Sequence, residues 1–161
     1  MKYIKLITIA IVICLVFSAC NVMLSQETNC FGFSKSDFIV LEEDTHGGFL
    51  GDGSYYLILD CSENTSKAYK ITKNWEKLPL SDNLNLAMYG GKKDGVIYGY
   101  NFAEEAHLPI VTNGVYKFVD RHTESDCKSD DTKLLSRYSF NFSLAVYNFD
   151  TDTLYYYELD T

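Results

Sequence analysis

Two short stretches of the chain place a carboxylate two residues ahead of an imidazole: Asp44-Thr45-His46 and Asp120-Arg121-His122. They hold two of the three histidines. On extended backbone, residues i and i+2 project to the same side, so each pair is a local donor couple. Both pairs sit just past a predicted strand. Neighbouring strand ends would make Asp44, His46, Asp120 and His122 converge, with Asp52 in reach. That set suits zinc, manganese or iron, or a general acid–base cluster of the kind a hydrolase uses. The same residue types also serve ordinary loops. There the aspartates bond to loop backbone and Arg121 pairs with an acid. The chain has no H-E-x-x-H, no G-x-S-x-G and no Walker-type phosphate loop, so no cofactor is implied.

Between the first pair and the next apolar run lies Gly47-Gly48-Phe49-Leu50-Gly51-Asp52-Gly53. It lacks the strand-then-helix setting and the lysine of a nucleotide loop. It reads as the oversized tip of a hairpin, available for binding or simply as an ordered surface loop. The cysteines offer no C-x-x-C spacing and hence no zinc knuckle or thioredoxin-type site. Cys61, behind the apolar run Tyr55–Leu59, reads as a small buried hydrophobe. Cys30 and Cys127 read as accessible, and a bridge between them is conceivable.

Cys20 is informative through what precedes it. Met1-Lys2-Tyr3-Ile4-Lys5 is short and positive, Leu6 to Phe17 carries no charge, and Ser18-Ala19 are small. This is the order of a secretory signal peptide. Twelve residues span about 18 Å as a helix, against a bilayer core of about 30 Å, too short for a spanning segment. The closing Phe17-Ser18-Ala19-Cys20 resembles the lipobox of bacterial lipoproteins. The resemblance implies cleavage after residue 19, acylation of Cys20 and membrane lipid as its partner. It places the protein on the extracytoplasmic face of a cell membrane. Phe17 stands where leucine is commonest in that pattern.

Taking residues 1–19 from 161 leaves 142, and losing Lys2 and Lys5 moves the net charge from −8 to −10. That length supports one domain with a sizeable core. The 47% apolar and 15% aromatic content argues against disorder. Negative charge argues against nucleic acid as a partner and against direct adhesion to anionic lipid.

Residues 20–36 read as the lipidated cysteine and a tether, and residues 37–161 as a single domain. Asp37–Glu43 and Ser54–Cys61 read as a hairpin. Asn64 to Lys77 reads as a helix laid on the sheet through Ala68, Ile71 and Trp75, with Lys70, Lys73 and Lys77 opposite and Lys67 at the edge. Ser81–Tyr89 reads as a helix capped by Ser81 and ended by Gly90, or as a strand. Gly95–Asn101 reads as a short aromatic strand. Asn113-Gly114 signals a turn ahead of Val115–Asp120. Tyr138–Phe149 alternates cleanly, and Asp150-Thr151-Asp152 turns it into Thr153–Leu159. The fold class is α+β: an antiparallel sheet of about five to seven strands with one or two helices packed on one face.

The lysine stripe is the one concentrated positive surface of an acidic chain. It serves either an acidic partner or anionic wall polymer, or simply solvation of a helix. Tyrosine is abundant, and Tyr155-Tyr156-Tyr157 sits in the last strand, suited to protein or glycan contact or to the core. The stretches 44–53 and 74–80, Asp120-Arg121-His122 and the Tyr155–Thr161 ending resemble small uncharacterised secreted or lipid-anchored proteins of Gram-positive bacteria. That resemblance implies a location and one domain, and no activity. The expectation is a membrane-anchored binding or interaction module with a protein or glycan partner, an envelope inhibitor or immunity-type role being one version. A hydrolase built on the paired Asp-x-His motifs is the alternative.

Overall fold

The computed structural model describes residues 31–33, 39–47, 51–125 and 127–161. The chain divides into a unit of residues 1–37 and one of residues 38–161. The larger unit is built on a six-stranded sheet in the order β1-β2-β8-β7-β6-β3, with every neighbouring pair antiparallel. Its strands are β1 (Ile39–Asp44), β2 (Gly53–Asp60), β3 (Glu76–Lys77), β6 (Gly114–Asp120), β7 (Asn141–Asn148) and β8 (Thr153–Asp160). A separate hairpin joins β4 (Gly91–Lys93) to β5 (Val96–Tyr98). The described residues of the larger unit form three α-helices: α1 (Thr65–Thr72), α2 (Asp82–Tyr89) and α3 (Phe102–Glu105). The α+β class is as the sequence implies.

The two long hairpins form where apolar and β-branched residues alternate. In β7, Phe142, Leu144 and Val146 face one side and Ser143, Ala145 and Tyr147 the other. The register continues into β8, where Leu159, Tyr157 and Tyr155 stand opposite the first set. With Tyr56, Tyr116 and Phe118 they make the main core, closed by Leu84, Ala87 and Met88 of α2 and Ala103 of α3. Each fully buried side chain of this size contributes about 1.5–3 kcal/mol relative to exposure. Helix α2 starts as its sequence demands: Ser81 Oγ accepts from Leu84 N–H at 3.2 Å. It ends at Gly90, whose φ of 71° favours glycine and whose backbone N–H donates to the Leu86 carbonyl at 3.0 Å.

Two expectations need correction. The first helix spans only Thr65–Thr72, because Glu76 and Lys77 pair with Tyr116 and Val115 at the sheet edge. Ala68 is buried and Ile71 half-buried, while Trp75 lies beyond the helix. Two helices pack on one face of the sheet, as expected. α2 and α3 cover the main core, whereas Tyr69 and Lys70 of α1 border the opposite face beside Tyr147. Finally, β7 begins at Asn141, and Tyr138 is 86% exposed rather than in line with Phe142. Of the tether only residues 31–33 are described; Cys20 and the tip residues 48–50 lie outside the described residues.

Candidate functional site

Strand register brings a polar chain together at one end of the sheet. Asp160 stands opposite Gly53 on one side and Asn141 on the other, and Asp44 closes β1 opposite Tyr55. Alternation then puts Asp44, Glu158 and Asp160 on one face. His46 Nδ1 lies 2.7 Å from Asp44 Oδ1 and its Nε2 lies 3.2 Å from Asp160 Oδ2. Both contacts are hydrogen bonds only when the ring carries a proton on each nitrogen. Arg121, just past β6, reaches back over this face. It donates to Asp160 Oδ2 at 3.0 Å and stands 3.2 Å from Glu158 Oε1. The Tyr156 hydroxyl donates to the other Glu158 oxygen at 2.7 Å and contacts Ser143 Oγ at 3.2 Å. Burial and the Glu158 charge push the Tyr156 phenol well above its usual range.

Asp120 and His122 go elsewhere. Asp120 sits on the core face with Tyr116 and Phe118, and a single Arg137 nitrogen donates to both its oxygens at 2.7 Å. His122 is buried, and its Nδ1 accepts the Glu124 backbone N–H at 3.2 Å. That bond leaves the ring proton on Nε2, which points to Ser139 Oγ at 3.2 Å. A serine nucleophile needs the opposite tautomer, with Nε2 free to take its proton. The Ser139–His122 contact is therefore a structural hydrogen bond and not a catalytic dyad.

The four sequence-selected residues thus form two sites. β1 and β6 are four strand spacings apart, roughly 19 Å at about 4.8 Å each, and their carboxylates project from opposite faces. Asp52 is exposed. Among the described residues, the one group with metal-ligand potential is His46, Glu158 and Asp160. Its cationic position is taken by the Arg121 guanidinium. Sequence reasoning missed Glu158, Asp160, Arg137 and Ser139. The alternation of β8 could have paired Glu158 with Asp160 on one face, but no local signal links Asp120 to Arg137. Cys30, one half of the conceivable Cys30–Cys127 bridge, lies outside the described residues; Cys127 is a free exposed thiol and Cys61 a free buried one.

What stays open lies at the other end of the sheet. Two shallow grooves of about 430 and 440 Å³ flank Tyr69 and share Phe149. Trp75, Lys73 and Lys77 line the first and Lys70 the second. Lys70, Lys73 and Lys77 make no ion pair with any described residue. Asp152, in the second groove, is held by the Tyr147 hydroxyl at 2.9 Å. A third, apolar groove of about 500 Å³ lies between Leu78–Leu80 and Ile110–Thr112, floored by Val146.

No family model matches the chain, no curated protein matches its sequence, and no solved structure matches its fold. Among the described residues, no helix is long and apolar enough to cross a membrane.

Proposed function

We propose that the protein is an extracytoplasmic lipoprotein, anchored through acylated Cys20, whose domain is a binding module. One observation carries the module reading. Among the described residues, the paired Asp-x-His side chains are engaged by one another, by arginine or by Ser139, while the grooves beside α1 are lined by lysines without ion pairs and open to solvent. A hydrolase would need a free base, a free nucleophile or an open metal position. The positive-apolar-small-Cys order of residues 1–20 supports the anchor. Two or more acyl groups on Cys20 would hold the domain stably, where one would not.

Fractionation of wild type beside Cys20→Ala tests the anchor. Wild type is expected in the membrane pellet and the variant in the soluble fraction. Identical partitioning of the two, or free release of wild type, overturns it.

A further inference from the structure

Three surfaces compete for a ligand. The His46–Glu158–Asp160 group has the right atoms for a cation, but the Arg121 guanidinium already stands against both of its carboxylates. The apolar groove under Ile110 carries no charge to say what fills it. The paired grooves beside α1 combine three features that point the same way. They are charge complementarity, exposed aromatic rings and an open surface.

On a chain of net charge −8, the Lys70, Lys73 and Lys77 ammonium groups gather on one flank and lack partners among the described residues. Asp152, Asp150 and Glu76 keep their charge but are oriented by Tyr147, Asn113 and Tyr116. Asp152 shares the second groove with Lys70, whereas Lys73 and Lys77 line the first with no carboxylate among its described lining residues. Unpaired cations at a concave surface concentrate anions there. Tyr69 is 66% exposed and Phe149 40% exposed, and Trp75 is half-buried in the first groove. Solvent-facing rings beside the ammonium groups add apolar platforms to the charge. Sugar rings do use them: their C–H faces pack on aromatic faces, and their hydroxyls bond to groups such as Thr65, Ser66 and Asn113. The grooves meet at Tyr69 and Phe149, so a chain can run from one into the other.

We infer that this double groove binds an anionic glycan, a sugar polymer bearing carboxylate, phosphate or sulfate. The lysines meet the charge and Tyr69, Trp75 and Phe149 meet the ring faces. The inference rests on the binding-module reading and names its ligand class.

Trp75 is the single tryptophan of the chain, so its fluorescence reports directly on the first groove. The full-length chain, in detergent micelles, is titrated with polygalacturonate, dextran sulfate, neutral dextran and poly-L-glutamate. Both anionic glycans are expected to give a saturable change that weakens with salt. Dextran and poly-L-glutamate should bind at least ten-fold more weakly. Tyr69→Ala should lose about ten-fold in affinity with the salt dependence kept, because that side chain is exposed and carries apolar contact. Lys70→Glu with Lys73→Glu should lose as much and flatten the salt dependence. Each variant's circular dichroism is compared with wild type, and a pair of variants with native spectra and unchanged binding overturns the inference. So does the absence of a saturable change with either anionic glycan, or poly-L-glutamate binding as tightly as polygalacturonate, which would assign the grooves to an acidic protein. Failure here with normal membrane fractionation leaves the anchored reading standing and removes only the ligand class.

Discussion

Asp44-Thr45-His46 and Asp120-Arg121-His122 have the same spacing and make the same local bond. His46 N–H donates to Asp44 Oδ1 at 2.9 Å, and His122 N–H donates to Asp120 Oδ1 at 3.1 Å. This is the turn that an aspartate forms with backbone two residues on. Everything beyond that bond differs. Asp44 is exposed and its second partner is the His46 ring. Asp120 is buried and its second partner is Arg137, from a distant segment. Spacing fixes what a motif does to its own backbone. Burial and the strand face decide what its side chains do for the protein.

The largest test of this contrast is Asp120→Ala. It leaves the Arg137 guanidinium, whose side chain is 7% exposed, without its carboxylate. Its buried Nε already lacks a hydrogen-bond partner among the described residues. Removing one partner of a buried pair costs about 3–5 kcal/mol, so the urea midpoint should fall steeply, or the chain should fail to fold. A loss below about 1 kcal/mol would mean that Arg137 reaches water easily, and the buried-pair account would be wrong.

The two described cysteines extend the comparison to a second residue type. Burial pushes the Cys61 thiol up to about 11, while hydrogen bonds from Ser129 lower that of exposed Cys127. The folded state keeps the Cys61 proton at a pH where the unfolded chain has released it. Its stabilising effect is whole below about pH 9 and is lost as pH rises toward 11. Tyr89 and Tyr116, pushed up to about 12 with burial as the first cause, act in the same direction above pH 10. Stability should therefore fall on alkaline titration from pH 9 upward. Peptide mapping after iodoacetamide at pH 8 should find Cys127 labelled and Cys61 protected. Equal labelling of both in folded protein would show that Cys61 is not shielded.

The sheet was largely readable because alternation is a local property. The hairpins at 39–60 and 141–160 and the Ser81–Gly90 helix caps all lie within short stretches. The candidate site was only half readable. Its aspartate–histidine couples are local, but their outer partners are strand-register facts. Asp160 meets His46 across 114 positions, and Asp120 meets Arg137 across 17. The early end of α1 is of the same kind. The helical period runs on to Trp75 and Leu78, yet the edge of β6 takes Glu76 and Lys77 as a strand. Tyrosine also hides its role. Among the described residues, six tyrosine hydroxyls donate to carboxylates, at Glu42, Glu43, Glu76, Asp152, Glu158 and Glu105. An acidic chain thereby satisfies its acids with phenols where lysines would be expected, leaving the lysines near α1 uncommitted.

The smallest expected effect belongs to Asp44. Its side chain is 38% exposed and pairs with a ring that keeps a second carboxylate, Asp160, at 3.2 Å. Partly exposed ion pairs contribute about 0–1 kcal/mol, and one backbone bond to His46 adds an amount of similar size. Asp44→Ala should therefore cost about 1–2 kcal/mol or less, well under Asp120→Ala, with the near-ultraviolet spectrum unchanged. The reason is geometric: water replaces the lost oxygen at the exposed pair, and Arg121 with Asp160 still holds the strand ends of β6 and β8 together. Equal losses from the two alanine variants would break the comparison, since they would mean that the shared spacing and not the environment sets the energy. The double variant separates the two accounts. Sites on opposite faces with no common partner should add within about 0.5 kcal/mol, and a larger coupling would reveal a link between them through Arg121, the residue that lies between Asp120 and His122 in sequence and contacts Asp160 in space.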